Sequence, residues 1–318
     1  MSAQPLRAGL IGLGNMGQNH LRVLSMLKNV DLRFIYDTNT AKAGELAVQY
    51  GCRVSTDLDA DLAMVDAVVL ATPTSTHYEY IRRVSDHVTA IFVEKPLTDK
   101  LETSAEITEL AKDRGLRIQV GFIERFNPAV QALKMVLAGT ERVINRDFSR
   151  TNKISSRITD VDVVTDLMIH DIDLALYLNG PAREVSAYGV TEEGMIAFAR
   201  ATITHDNGSF SNITASRITE KRIRQVSVTA ADKYIDCNLL RKEVLINKQT
   251  LEQYYEKVSI SSQEETIDVR PEEALLRELM AFVRYAGDGN AAGVPTEYDG
   301  YSAMKVAQEI QQIIRGRQ

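Results

Sequence analysis

The stretch Ala8-Gly-Leu-Ile-Gly12-Leu-Gly14-Asn-Met-Gly17-Gln-Asn-His20 limits what this chain can fold into more than any other. It has the spacing GxGxxG, with a short apolar run before it, Arg7 to Ile11, and a helical pattern after it, Gln18 to Leu27. Strand, glycine turn and helix in that order open a dinucleotide-binding βαβ unit. Gly12 permits the tight turn, Gly14 lets a pyrophosphate approach the backbone, and Gly17 lets helix and strand pack closely. Asn15 and Met16 lie between the glycines, where the helix N-terminus would hold phosphates. A second strand-like run, Val30 to Tyr36, closes on Asp37. An acid about twenty residues beyond the glycines is placed for a ribose 2′-hydroxyl. Its carboxylate would repel a 2′-phosphate, so the expected cofactor is NAD rather than NADP. The bland alternative is a glycine turn that binds nothing.

Strand and helix patterns keep alternating as far as Phe122. A helix from about Ala41 to Tyr50 is followed by a short strand near Arg53 to Ser55, the apolar AVVLAT and a helix after His77. Then come AIFVEKP, a helix from Glu102 to Asp113, and RIQVGF. That rhythm predicts a parallel sheet. Beyond it, 127–137 and 165–178 read as helices, and 184–267 is a series of alternating segments including MIAFARATITH, SFSNITASRI, RQVSVTA and KYIDCNLL. Asp206-Asn-Gly208 is a hairpin signal between two of them. Two helical stretches, 272–285 and 301–314, close the chain. With 318 residues, above the roughly 250 to 300 at which single cores stop growing, two domains are expected: 1–122 as an α/β Rossmann domain, and 123–318 as an α+β domain with an antiparallel sheet. The last helix, about 301–314, is free to pack back on the first domain.

A net charge of −6 argues against an extended nucleic-acid surface, which needs many cations to displace counterions. Cys52 and Cys237 form no metal-binding or disulfide spacing. The N-terminal apolar run is short, glycine-rich and followed by polar residues, unlike a signal peptide or a membrane span, so the expected location is the cytoplasm, with no membrane partner.

Two further clusters carry chemistry. Thr72-Pro73-Thr74-Ser-Thr-His77 and Glu94-Lys95-Pro96 each follow an apolar strand, so both sit at the carboxyl edge of the sheet, where ligands bind in open α/β folds. Farther on, Val164 to Gly180 reads as a buried helix, yet Asp166, His170, Asp173 and Tyr177 are spaced four, three and four apart on one stripe. Such a stripe is costly unless paired or facing a polar ligand. Only Asp171 points elsewhere. Asp and His at i and i+4 could share a metal ion or form a core ion pair, but no second Cys/His cluster supplies further ligands, and no metal is expected. Arg150, Lys153 and Arg157 precede this helix; they suit an anionic substrate, or form a solvated basic loop.

GLGNMG with His20, then Asp37, ATPTSTH, EKP, VGFIERFNPA and DLMIHDIDL, occur in the order found in the Gfo/Idh/MocA oxidoreductases, and the resemblance covers essentially the whole chain. It implies a Rossmann domain followed by a large, open, mostly antiparallel sheet, with the active site between them and a cis Lys95-Pro96 bond. It also implies Lys95, Asp166 and His170 as the catalytic set, with His170 or Lys95 as base, and Thr72, Pro73, Thr74, His77, Glu94 and Lys95 among the cofactor contacts. Within the family the chain is most similar to the branch acting on the C3 hydroxyl of UDP-N-acetylglucosamine. That would bring Arg150, Lys153 or Arg157 to a diphosphate, and Arg125, Asn127 and Asp173 near the sugar. SSRITD, 155–160, departs from that branch's more proline-rich stretch. An inositol or free-sugar dehydrogenase, and a non-catalytic NAD-binding regulator, are the rival expectations. An open sheet would leave a face to cover, which implies a homodimer or homotetramer.

Overall fold

Strands that are apolar along their whole length must be covered on both faces, and β1 (Leu6–Ile11), β2 (Val30–Tyr36), β3 (Ala67–Leu70), β4 (Ala90–Glu94) and β5 (Arg117–Gly121) largely have that character. In the computed structural model, which describes residues 4–153, 161–254 and 257–317, they form one parallel sheet in the order β2-β1-β3-β4-β5. The helices between them are α1 (Asn15–Met26), α2 (Thr40–Tyr50), α3 (Leu58–Leu62), α4 (His77–Val84) and α5 (Leu101–Arg114). The strand order reverses at β1, so the turns after β1 and β3 diverge and open a crevice at their carboxyl ends. The strand expected at Arg53 to Ser55 is reduced to a single parallel bridge, Ile35 to Val54.

The second sheet has eight strands. After α6 (Pro128–Ala138) come β6 (Val143–Thr151), a π-helical turn (Val164–Met168) and α7 (Ile169–Asn179). They are followed by β7 (Ala182–Glu192), β8 (Met195–His205), β9 (Phe210–Ser216), β10 (Ile223–Ala230), β11 (Tyr234–Asn238), β12 (Glu243–Tyr254) and β13 (Lys257–Ile267). Their order is β13-β12-β11-β10-β6-β9-β8-β7, antiparallel throughout except for β6 beside β9. Gly208, at φ +80°, turns the expected Asp-Asn-Gly hairpin between β8 and β9. One face is buried, with Phe148, Ile213 and Val226 in register on it, and α6 and α7 pack against it. The other face is polar: Asn212 Nδ2 donates to Asp147 Oδ1 at 2.9 Å, and Thr202 Oγ1 donates to Asn212 Oδ1 at 2.8 Å.

The division into two units departs from the span 123–318 expected of the second domain. The first unit comprises residues 1–123 and 274–304, the second 124–273 and 305–318. Residues 274–304 carry α8 (Ala274–Asp288) and the start of α9 (Glu297–Arg315). α8 returns to the parallel sheet because its apolar stripe is needed there: Leu275, Leu279 and Phe282, spaced for one helix face, join the core of β1, β3 and β4. Phe282 meets Phe92 edge to face with centroids 5.7 Å apart. Among the described residues, no helix is long and apolar enough to cross a membrane.

Candidate active-site residues

In the first unit, the turns after β1, β2 and β3 line a cavity of about 400 Å³. Gly12, Gly14, Asn15, Met16, Asp37, Thr72 and Pro73 all face it, and Tyr36, Thr38, Thr76 and Tyr80 join them, whereas Gly17, Thr74, Glu94 and Lys95 do not line it. Gly12 has φ +93°, and a Cβ there would lie 2.5 Å from the Ala71 carbonyl oxygen. A Cβ on Gly17 would overlap the Gly12 carbonyl oxygen. At Gly14 the reason differs, since a Cβ would meet no protein atom within 4 Å. The space kept open there lies toward the cavity, where a pyrophosphate needs it. Gly14 is also the N-cap of α1 and offers no capping side chain, which leaves the first amides of the helix for an anion. Asp37 is locked in place: Oδ2 accepts from the Leu13 amide at 2.6 Å and Oδ1 from the Asn39 amide at 2.8 Å. These residues fit a dinucleotide.

The neighbouring strand ends are tied by buried histidines. His77 is fully buried, with Nδ1 3.0 Å from the Pro96 carbonyl oxygen and Nε2 3.0 Å from that of Thr72. The expected cofactor contact at His77 is therefore corrected: its two ring nitrogens face protein carbonyls, and the ring clamps the turn after β3 to the turn after β4. Burial pushes its pKa down despite those carbonyls, so a neutral ring donates to one of them. Thr74, expected among the cofactor contacts, lies in the short helical turn Thr74–Thr76 and is not among the residues lining the cavity, whereas Thr76, not among the expected contacts, is. Glu94 Oε1 is 2.7 Å from Nε2 of the buried His20. Lys95 is half-buried at the end of β4, and the Lys95-Pro96 bond is cis.

In the second unit the π-helical turn precedes α7 and contains Asp166. Such turns are rare and concentrate at functional sites. Asp166 and His170 are half-buried, whereas most of their neighbours on the helix are fully buried. Asp162 anchors the turn: its Oδ1 accepts from the Val164 and Thr165 amides at 3.0 and 3.1 Å, and its Oδ2 accepts from Gln311 at 2.8 Å. The Arg217 guanidinium reaches Asp166 Oδ2 at 3.0 Å.

Residues 6–122 match the family described as an oxidoreductase family with an NAD-binding Rossmann fold, and residues 141–233 match the Gfo/Idh/MocA C-terminal domain. A UDP-N-acetylglucosamine 3-dehydrogenase from Acidithiobacillus ferrooxidans is 30% identical over 310 residues, 95% of this chain and 94% of that one. The chain belongs to the Gfo/Idh/MocA oxidoreductase family. A solved structure of the Acidithiobacillus enzyme matches with a TM-score of 0.89 at 28% identity, covering 99% of both chains. A scyllo-inositol 2-dehydrogenase (NAD(+)) from Bacillus subtilis is 30% identical over 230 residues, 67% of each chain. This member of the Gfo/Idh/MocA family is accordingly an NAD-dependent oxidoreductase.

Several residues expected at the substrate in this Gfo/Idh/MocA chain are used by the protein itself. Arg150 is 2% exposed; its Nε and Nη2 each donate to Asp171 at 2.8 Å and its Nη1 to Glu124 at 2.8 Å. A guanidinium so enclosed is a structural ion triad, which corrects the expected diphosphate contact. Burial alone would lower its pKa, but the two carboxylates raise it. Burial alone would likewise raise the Glu124 carboxyl, but the charges of Arg150 and Arg224 hold it below the ordinary range. Asn127 caps α6 through the Ala129 amide and donates to Glu124 and to the Leu239 carbonyl, so it too is structural. Arg125 and Asp173 are both buried and bind each other at 2.8 Å, with Arg125 4.6 Å from the centre of the Tyr177 ring. Lys153 is exposed and paired with Glu220. Arg157 lies outside the described residues. Among the described residues no group of three or more His, Cys, Asp or Glu could hold a metal ion.

Proposed function

We propose that this chain oxidises the C3 hydroxyl of UDP-N-acetylglucosamine to a ketone. The observation that carries the proposal is the pair Asp166 and His170, half-buried beside the fully buried Met168, Ile169, Asp171 and Ile172, in a chain similar along 95% of its length to a UDP-N-acetylglucosamine 3-dehydrogenase. NAD, when bound, supplies the hydride acceptor. His170 takes the hydroxyl proton, a role a neutral imidazole nitrogen can fill as general base. Asp166 orients the imidazole, and Lys95 hydrogen-bonds the hydroxyl and stabilises the developing alkoxide. Lys153 and Arg157 remain the proposed cationic contacts for the diphosphate. We further propose that the polar face of the eight-stranded sheet is covered by a second copy of the chain, and that the protein works in the cytoplasm.

The test is NADH formation by the purified protein with UDP-N-acetylglucosamine, other UDP-sugars, inositols and glucose. UDP-N-acetylglucosamine should be turned over best. Preference for an inositol would move the assignment to the other branch of relatives, and no NADH with any alcohol would make the chain a non-catalytic NAD-binding protein. Replacing His170 by Ala should cut turnover by about 100-fold to 10,000-fold with NAD affinity nearly unchanged. Light scattering of the same sample tests for the second copy.

A further inference from the structure

We infer that Arg217 is the positioning residue of this site: it holds Asp166, and through Asp166 sets His170 for proton transfer. The inference rests on the assignment of Asp166 and His170 to catalysis. Arg217 follows β9 directly, and its backbone amide extends the ladder by donating to the Ala197 carbonyl at 2.9 Å. The next two residues turn away, because Ser216 Oγ accepts from the amides of Ile218 and Thr219 at 3.2 and 3.1 Å. The arginine is therefore fixed to the sheet by its own backbone while its side chain leaves toward the start of the catalytic helix.

There the guanidinium engages three groups of one short segment. Nη1 donates to the Val161 carbonyl, and Nη2 donates to Asp166 Oδ2 at 3.0 Å and lies 3.4 Å from the Asp162 carbonyl. The two carbonyls belong to the approach to the π-helical turn, and the carboxylate lies within it. A planar fork that grips backbone and side chain together fixes both the turn and the carboxylate, which a lysine's single point charge cannot do as well. The pair is nearly enclosed, with side-chain exposures of 10% for Arg217 and 22% for Asp166, so solvent weakens it less than a surface pair. Asp162 supports the arrangement from the other side, since its carboxylate caps the turn and is held by Gln311 and Arg315 of α9. Arg217 does not itself need to touch substrate. Its effect falls on the geometry of the base, where a displacement of about 1 Å costs about 100-fold in rate.

The test compares wild type, Arg217→Gln and Arg217→Lys in the full chain, with thermal melting and NADH fluorescence titration as controls for folding and cofactor binding. We expect Arg217→Gln to bind NADH as wild type does, to lose about 100-fold in kcat and to keep KM for the sugar nucleotide within about threefold. Arg217→Lys should recover about tenfold of that loss, because it restores the charge but not the fork. Folded Arg217→Gln with wild-type kcat would overturn the inference, as would a loss confined to KM. If Arg217→Gln does not fold, Arg217→Lys alone decides, by a lowered kcat or by an unchanged one. A wild-type protein that forms no NADH from any sugar would refute the functional assignment itself, and the positioning role with it.

Discussion

Arg150→Met is the most direct check on the buried charge network, and its size follows from the groups it strands. Arg150 makes three hydrogen bonds of 2.8 Å to Asp171 and Glu124, whose side chains are 2% and 7% exposed. Removing one partner of a buried pair typically costs about 3–5 kcal/mol. Arg224 lies 3.5 Å from Glu124 and can compensate part of that charge, so the loss centres on Asp171. The stranded carboxylate has an escape, which is to take up a proton. For an ordinary aspartate with a pKa of about 3.9, that costs about 4 kcal/mol at pH 7, which sets the ceiling. Burial already pushes Asp171 up against the pull of Arg150, so part of this cost is present in the wild type, and we expect a loss of about 3 kcal/mol. The sign is fixed: a variant whose folded state holds an extra proton loses stability as pH rises, so its deficit should shrink by about 1.4 kcal/mol for each pH unit of acidification. Urea denaturation followed by circular dichroism at pH 7 and pH 6 measures both quantities, and the double variant Arg150→Met/Asp171→Leu should recover most of the loss. An Arg150→Met protein within about 1 kcal/mol of wild type, with a strongly raised KM for the sugar nucleotide, would refute the reasoning and restore Arg150 as a substrate contact.

Gly17→Ala should displace the glycine loop, because its methyl group would overlap the Gly12 carbonyl oxygen; about 1–3 kcal/mol of stability should go, and NADH fluorescence titration should show weakened binding. Asp37→Ala removes the acceptor of the Leu13 and Asn39 amides and the repulsion toward a 2′-phosphate, so the ratio of kcat/KM for NAD over NADP should fall by about tenfold or more. His77 and His205 both have pKa values lowered by burial, so the unfolded chain binds protons before the folded one does. Stability should therefore be lost as pH falls below about 6.5, and denaturation midpoints of His77→Gln/His205→Gln should depend less on pH across that window than those of wild type.

Much of the first unit is legible in the sequence, because its chemistry sits in contiguous motifs. GxGxxG, the acid after β2 and the turn after β3 land on one cavity because strand order and helix direction bring them there. Features that depend on pairing across the chain escape a linear reading. β6 goes unread because its buried face carries Arg146 and Arg150 beside Phe148, and the carboxylates that make Arg150 tolerable lie 26 residues before it and 21 after it. Arg217 gives no local signal either, since its partner Asp166 is 51 residues away. Asn127 and Arg125 look available for a ligand until the carbonyl and the carboxylates that occupy them are in view, whereas His77 already reads as a packing residue at a helix N-terminus and is expected at the cofactor only through the family resemblance. Asp162, by contrast, could have been found: an acid three residues before Thr165, at the head of an apolar helix, is a capping signal.

The return of α8 to the parallel sheet governs when this protein can finish folding during synthesis. Leu275, Leu279 and Phe282 complete a core begun by Leu10, Leu21 and Phe92, so the nucleotide-binding unit, first to leave the ribosome, stays open on one side while the whole eight-stranded sheet is made. A fragment ending near residue 122 would keep the glycine loop, yet lack the helix that covers Phe92.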